Sequence, residues 1–282
     1  MGGDLGTCFD VSLLHEGGRY RMWFSWRPRR SIALAESDDG VRWGRPTLCV
    51  EPSASGWEED VNRPSVVRAD GLYHMWYTGQ RGRPEASLIG YAQSRDGVHW
   101  RRTADEPVLR PERPWENVAV MCPHVLRDEA RGLWRMWYSG GDQNEPNAIG
   151  HATSGDGLRW ERTSDEPVFG PDPASAWECH KVTAAQVVPY AGGFAMFYIG
   201  FRDEDHAQIG LAWSPDGIGS WRRHAENPIL SPDADAWDAD ADYKPFALRD
   251  GERWRLWFNG RRGDVEQIGM AVHEGTDLGI GG

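Results

Sequence analysis

Lysine is nearly missing from this chain. Lys181 and Lys244 are its two, within a set of 31 basic and 43 acidic residues. The net charge of −12 excludes a general nucleic-acid binder, which needs a basic footprint. No apolar run approaches the roughly 18 residues that span a bilayer, so no membrane partner is expected. The first eight residues hold no basic segment followed by an apolar stretch and do not read as a secretory signal. The four cysteines, Cys8, Cys49, Cys122 and Cys179, lack CxxC spacing and any small-domain framework. They read as reduced thiols of a cytoplasmic protein. No segment holds a helical period long enough for a βαβ crossover, which excludes a parallel α/β sheet.

Tryptophan, by contrast, is abundant, with 16 residues. Its placement is periodic. A Met-Trp-Tyr-Ser/Thr-Gly string recurs with central aromatics Trp23, Trp76, Trp137, Phe197 and Trp257, at spacings of 53, 61, 60 and 60. Each copy is followed by an Ile-Gly-x-Ala string at Ile32, Ile89, Ile149, Ile209 and Ile268, with Ala-Leu-Ala after Ile32. Four copies run on through Ser-x-Asp-Gly to Trp43, Trp100, Trp160 and Trp221. Short aromatic and β-branched segments bounded by Gly, Asp-Gly and Pro are strands and hairpins. A meander repeated radially removes long exposed sheet edges. The expectation is therefore an all-β chain, a single five-bladed β-propeller over 1–282, built of four-stranded antiparallel blades. Their approximate bounds are 7–52, 58–111, 116–171, 178–232 and 238–276. The last copy lacks the Asp-Gly-Trp strand, so either the N-terminal residues complete it or it stays three-stranded.

A propeller does not specify a function, so the informative residues are those the copies do not share. Aligned on a Pro position eleven residues before the Met of the Met-Trp string, or thirteen in the third copy, the innermost strands place Asp10, Arg63, Cys122, Ala184 and Lys244 at one equivalent point. Packing alone favours sameness there, and this ring reads as functional. Just upstream, a Trp-acid pair recurs at Trp57-Glu58, Trp115-Glu116, Trp177-Glu178 and Trp237-Asp238, which reads as structural. Between the pair and the Pro lie unmatched polar residues, namely Glu59, Asp60, His180, Lys181, Asp240 and Asp242.

In an antiparallel meander the start of the first strand and the loop between the second and third lie at one end, here one mouth of the central channel. Those loops, at 26–30, 80–84, 141–145, 201–206 and 261–264, hold eight arginines, Arg81 among them, and both lysines fall at inner-strand starts. A basic mouth on an acidic protein points to an anionic ligand, a carboxylate, phosphate or sugar acid, because Arg forks hold such groups bidentately.

The repeat Met-Trp-Tyr-Ser/Thr-Gly, Ile-Gly-x-Ala-x-Ser-x-Asp-Gly-x-x-Trp resembles the five-bladed propeller glycosidases: the arabinanase/β-xylosidase and invertase groups and their β-mannoside phosphorylase relatives. The resemblance covers nearly the whole chain. It implies a general-base Asp before the inner-strand Pro of the first blade, where Asp10 stands, with Val11 in place of the Pro. It implies a second Asp where this chain has Cys122, and a general-acid Glu where it has Thr183. Glu178-Cys179 resembles the Glu-Cys of invertases but sits several residues early.

Glycoside cleavage needs two carboxyl groups across the bond, one donating a proton and one activating water or attacking carbon. With Asp10 as base, the acid must come from Asp60, Glu178, Asp240 or Asp242. A lysine two residues away at Lys244 would lower the Asp242 pKa, which favours Asp60 or Glu178 as donor. Arg63, His124, His180, Lys181, Asp240, Trp26, Arg81 and Tyr243 are the expected substrate contacts, the two aromatics by stacking on sugar faces. Three functions stay open: cleavage or transfer at a glycosidic bond of a small anionic sugar; a lyase, isomerase or cyclase using Lys244, Asp10, Arg63 and His124 or His180; and a non-catalytic carbohydrate-binding propeller. Cys122, His124, Cys8 and His180 follow no zinc-ligand spacing, and neither metal nor cofactor is expected.

Overall fold

A computed structural model describes residues 1–54, 56–81, 87–103, 105–142 and 146–281. The described residues form antiparallel meanders. The first runs β1 (Cys8–Glu16), β2 (Arg19–Trp26), β3 (Ser31–Ser37) and β4 (Thr47–Val50). The next runs β5 (Asp60–Ala69), β6 (Leu72–Gln80), β7 (Ser87–Ser94) and β8 (Trp100–Arg102). Then come β9 (Ala119–Asp128), β10 (Leu133–Gly141), β11 (Ala148–Ser154) and β12 (Glu161–Arg162), joined to the preceding sheet by one parallel bridge from Ser87 to Ala119. A further meander holds β13 (Lys181–Tyr190), β14 (Gly193–Phe201), β15 (Ala207–Ser214) and β16 (Arg222–Arg223). The last holds β17 (Ala241–Asp250), β18 (Arg253–Arg262) and β19 (Val265–Glu274).

The second strands are buried on both faces because a sheet packs on either side. Trp23, Trp76 and Trp137 are fully buried, and Trp257 almost so. A buried indole N–H needs an acceptor. Each finds it in the Asp-Gly turn of the next meander: Trp23 Nε1 donates to Gly97 O at 2.8 Å, Trp76 to Gly157 O at 2.9 Å and Trp137 to Gly217 O at 2.7 Å. Trp257, in the last meander, donates to Gly40 O in the first at 3.1 Å, which closes the ring. The remaining copy carries Phe197, which has no N–H to satisfy, and the meander after it is the one without a Ser-x-Asp-Gly turn after its third strand.

The recurring acids are also structural. Glu58 accepts from Tyr77 Oη at 2.8 Å and pairs with Arg102 Nε at 2.8 Å. Glu116 does the same with Tyr138 at 2.6 Å and Arg162 at 2.6 Å. Among the described residues the last meander has no fourth strand. At its edge, Ile268 N–H donates to Met1 O at 2.8 Å, so the N-terminus touches β19 at one residue and does not add a full strand. The C-terminal segment instead folds back on the preceding meander, where Leu278 N–H donates to Tyr190 Oη at 2.8 Å.

Candidate functional site

The five first strands each carry a bulge at the ring position. Register slips between Phe9 and Ser12 in β1, Asn62 and Ser65 in β5, Thr183 and Gln186 in β13, and Tyr243 and Phe246 in β17, with the matching slip opposite β9 between Trp137 and Ser139. At each bulge a non-glycine residue takes left-handed backbone: Asp10 at φ +54°, Arg63 at +53°, Cys122 at +52°, Ala184 at +48° and Lys244 at +53°. Such backbone costs roughly 1 kcal/mol or more per residue and persists only where neighbours hold it. At four of these five positions the holding group is the Ser, Thr or Asn of the preceding Met-Trp-Tyr-Ser/Thr-Gly string, whereas the string before Lys244 carries Ile199 there. Arg63 N–H donates to Ser25 Oγ at 2.8 Å, Cys122 N–H to Thr78 Oγ1 at 3.1 Å, Ala184 N–H to Ser139 Oγ at 2.8 Å and Asp10 N–H to Asn259 Oδ1 at 2.9 Å. A β-bulge re-aims a side chain. These five line one axial cavity of about 50 Å³.

Three charges meet there. Arg63 Nε lies 3.8 Å from Asp10 Oδ2, and Lys244 Nζ lies 3.9 Å from Asp10 Oδ1. Lys244 Nζ is also 3.5 Å from Cys122 Sγ. Burial raises the Asp10 pKa above the usual carboxylate range, against the opposing pull of Arg63 and Lys244. Deeper in the cavity a second ring ties meander to meander. Ser12 Oγ accepts from Val66 N–H at 2.9 Å, Ser65 Oγ from Val125 N–H at 2.9 Å, and Gln186 Oε1 from Ala247 N–H at 2.7 Å. His124 belongs to this ring. Its Nε2 meets Val187 O at 2.7 Å, and because a carbonyl only accepts, that nitrogen carries the proton. Burial pushes the His124 pKa down to about 4, so it is a neutral clasp that also lines the cavity.

The other expected residues lie elsewhere. Glu178 is outside the cavity, paired with Arg223 Nε at 2.7 Å in the manner of Glu58 and Glu116, and so belongs to the blade interior. Asp60 accepts from Asn62 Nδ2 at 2.7 Å, and Asn62 Oδ1 accepts from Arg63 Nη1 at 2.7 Å, leaving Asp60 behind the ring. Asp240 is exposed and caps Gly263 N–H at 2.6 Å. Lys181 and His180 both bind Glu204, at 2.8 and 2.9 Å. Trp26 Nε1 donates to Leu5 O at 2.8 Å, and Arg81 pairs with Glu59 at 3.6 Å. Four other loop arginines are similarly engaged: Arg27 with Glu266, Arg202 with Asp203, Arg261 with Asp205 O and Arg262 with Ala236 O, while Arg29 lies over the Trp26 ring. Arg83 falls outside the described residues. Among the described residues, the cations lining the axial cavity are Arg63 and Lys244.

Asp242 departs most from expectation. The bulge at Lys244 breaks strand alternation, so Lys244 points to the channel while Asp242 turns into the blade. Its partner there is Asp238, and burial together with that second carboxyl raises its pKa to about 8. The last meander has Phe258 where the three before it have Tyr77, Tyr138 and Tyr198, and it lacks the strand that carries Arg102, Arg162 or Arg223. Asp242 is the replacement partner for the recurring acid.

One residue near Asp10 went unnoticed in the sequence. Glu266, on β19, accepts from Tyr243 Oη at 2.5 Å and from Arg27 Nη2 at 3.0 Å, and its charge acts on Asp10. Counting two residues back from each Ile-Gly-x-Ala string gives Arg30, Ser87, Asn147, Ala207 and Glu266, a second set of unlike residues that would have marked it. Among the described residues no group of three or more His, Cys, Asp or Glu side chains is placed to hold a metal ion. No described helix is long and apolar enough to cross a membrane.

A closed ring of antiparallel meanders around a polar axial cavity is a β-propeller. Residues 12–188 match the Glycosyl hydrolases family 32 N-terminal domain, and the chain belongs to that family. Its relatives include a 1,2-beta-oligomannan phosphorylase of Thermoanaerobacter, 28% identical over 65% of this chain and 58% of that protein. A fructan 1-exohydrolase of Triticum urartu is 32% identical over 59% of this chain and 30% of that protein. An uncharacterized Mycobacterium tuberculosis protein is 29% identical over 67% of this chain. The match spans 62% of that protein's length. Among solved structures, a glycoside hydrolase superposes with a TM-score of 0.81 at 16% identity, covering 99% of this chain and 91% of the other. An exo-1,5-alpha-L-arabinanase from a bovine ruminal metagenomic library superposes at 0.71 and 14% identity, covering 97% and 95%.

Proposed function

We propose that the chain is a five-bladed propeller enzyme, with blades near 7–52, 58–111, 116–171, 178–232 and 238–276, that cleaves or transfers a glycosidic bond of a small sugar substrate. The observation that carries this reading is the meeting of Asp10, Arg63 and Lys244 in one axial cavity of a glycosyl hydrolase family fold. Asp10 is the reacting carboxyl. Arg63 and Lys244 together outweigh its charge, which suits an anionic group, either a sugar acid or a phosphate that accepts the glycosyl unit. The phosphorylase among the relatives supports the second source of that anion. Four free thiols fit a reducing compartment, and we place the protein in the cytoplasm, without nucleic-acid or membrane partners.

The test is a panel of p-nitrophenyl furanosides, pyranosides and uronides, each with and without inorganic phosphate, on wild type and Asp10→Asn. Turnover by wild type that falls at least a hundredfold in Asp10→Asn supports the reading. Equal turnover in both overturns it. Binding without turnover points to a carbohydrate-binding propeller, and loss of some other activity in Lys244→Met to a lysine-dependent lyase or isomerase.

A further inference from the structure

In three meanders the fourth strand delivers the same two side chains to the same two places. Trp100-Arg101-Arg102, Trp160-Glu161-Arg162 and Trp221-Arg222-Arg223 each set an arginine opposite the Ala of the Ile-Gly-x-Ala string, at Ala92, Ala152 and Ala212. From there the guanidinium reaches the buried acid of its own meander, Glu58, Glu116 or Glu178. The tryptophan two residues earlier lies against the preceding meander. Trp100 meets Trp23 at 6.3 Å, and Trp160 meets Trp76 at 5.9 Å.

The last meander has both receiving places and, among the described residues, neither side chain. Its outer strand is β19, with Ala271 at the position of Ala92, Ala152 and Ala212. Beside it Val272 is 45% exposed. The acids are Asp238 and Asp242, both buried. Among the described residues, both Asp242 oxygens and Asp238 Oδ1 have no partner beyond the contact between the two carboxyls. The aromatic on the preceding meander is Phe197. It lines a pocket of about 550 Å³ with Leu211, Trp254, Val272 and Leu278. The chain's own Trp-x-Arg runs begin at Trp43, Trp100, Trp160 and Trp221, all in the first four copies.

We propose that the outer edge of β19 and the pocket beside it dock an extended segment of a partner protein that carries an aromatic residue, one spacer and an arginine. Its backbone adds a strand to β19, whose outward N–H and C=O groups form a pairing template. Its arginine stands opposite Ala271 and pairs with Asp238 and Asp242. Its ring enters the pocket over Phe197. A bare sheet edge accepts many sequences, whereas a buried acid pair and an apolar pocket at fixed spacing select one pattern. Met1 does not block this segment. Met1 O accepts from Ile268 N–H as Leu109 O does from Ile89, Phe169 O from Ile149 and Leu230 O from Ile209. The added residues need only span Ala271 to His273.

The experiment titrates the full chain into a fluorescein-labelled peptide of residues 157–164, Gly-Leu-Arg-Trp-Glu-Arg-Thr-Ser, and reads anisotropy. Beside it run the same peptide with Arg162→Met, the peptide with Trp160→Ala, and an Asp238→Asn/Asp242→Asn chain. We expect saturable binding of the first peptide, and affinity about tenfold or more lower in each of the three controls. Hydrogen exchange should show new protection at Ala271–His273 on peptide addition. No saturation by about 1 mM, or affinity within about twofold after Arg162→Met, overturns the proposal. Protection confined to β11, the peptide's own place in the fold, overturns it too. If the double variant does not fold, the two altered peptides on the wild-type chain decide. Sedimentation velocity of the chain alone tests the competing occupant. A dimer that Val272→Asp dissociates gives the edge to a second copy and overturns the partner segment.

Discussion

Lys244 Nζ lies 3.9 Å from Asp10 Oδ1, joining the last inner strand to the first, its neighbour in the closed ring. Nothing in the local sequence of either residue points to the other, which is 234 positions away. The contact exists because both sit at bulges with left-handed backbone, and the Lys244 charge opposes the burial that raises the Asp10 pKa.

Lys244→Met therefore changes a pH profile. Burial raises the Asp10 pKa, and the ammonium opposes that rise. Without it the pKa climbs further, and the ionised carboxylate forms only at higher pH. If Asp10 works as a base, the acid limb of kcat/KM moves up by about one pH unit. Steady-state rates between pH 4 and 8 check this, and Arg63→Met shifts the limb in the same direction.

Asp242→Asn is expected to stabilise the protein in a pH-dependent way. The Asp242 pKa is raised to about 8, above its unfolded value near 3.8. At pH below both values the wild type bears no penalty. As pH rises between them, the unfolded chain ionises and the folded one does not, so wild-type stability falls by up to about 1.4 kcal/mol per unit. Above about pH 8 the loss levels off. Urea unfolding at pH 5, 7 and 9 should show the Asp242→Asn variant gaining on wild type from the first to the second, and gaining about half as much again from the second to the third.

Ser25→Ala should weaken fold and site together. Ser25 Oγ accepts the Arg63 amide at 2.8 Å and lies 3.4 Å from Asp10 Oδ2 as a donor. Its removal orphans a buried N–H at a left-handed residue, at a cost of about 1–3 kcal/mol. The melting temperature should drop by several degrees, and kcat/KM should fall with it, because Arg63 and Asp10 lose a common support. Calorimetry and kinetics on the same preparation check both.

Two glycines with similar backbone give a contrast. Gly97 has φ +74°, and a Cβ there would sit 2.7 Å from Arg21 Nη1 and 2.8 Å from Trp23 Cζ2. Gly132 has φ +67° with nothing within 4 Å. Gly132→Ala should cost about 1 kcal/mol of backbone strain. Gly97→Ala should cost at least about twice that, since Trp23 is fully buried and cannot move aside. Denaturant midpoints measure the difference.

The sequence by itself determined the repeat, the strands and the ring at Asp10, Arg63, Cys122, Ala184 and Lys244, because spacing and strand period are local properties that survive in one dimension. It also set Glu58 and Glu116 apart from the candidate functional residues, and the structure pairs them with Arg102 and Arg162. It misled at Glu178 and Asp242. Glu178 looked like a candidate acid until its Arg223 partner, from a strand 45 residues on, was in place. Asp242 was assigned a lysine neighbour by strict alternation, and the bulge at Lys244 breaks that alternation. Only the tertiary structure decided which side chains face the channel and that Asp238 and Asp242 are partners. Each of these depends on ring closure, and closure brings together charges whose separation along the chain carries no trace of their separation in space.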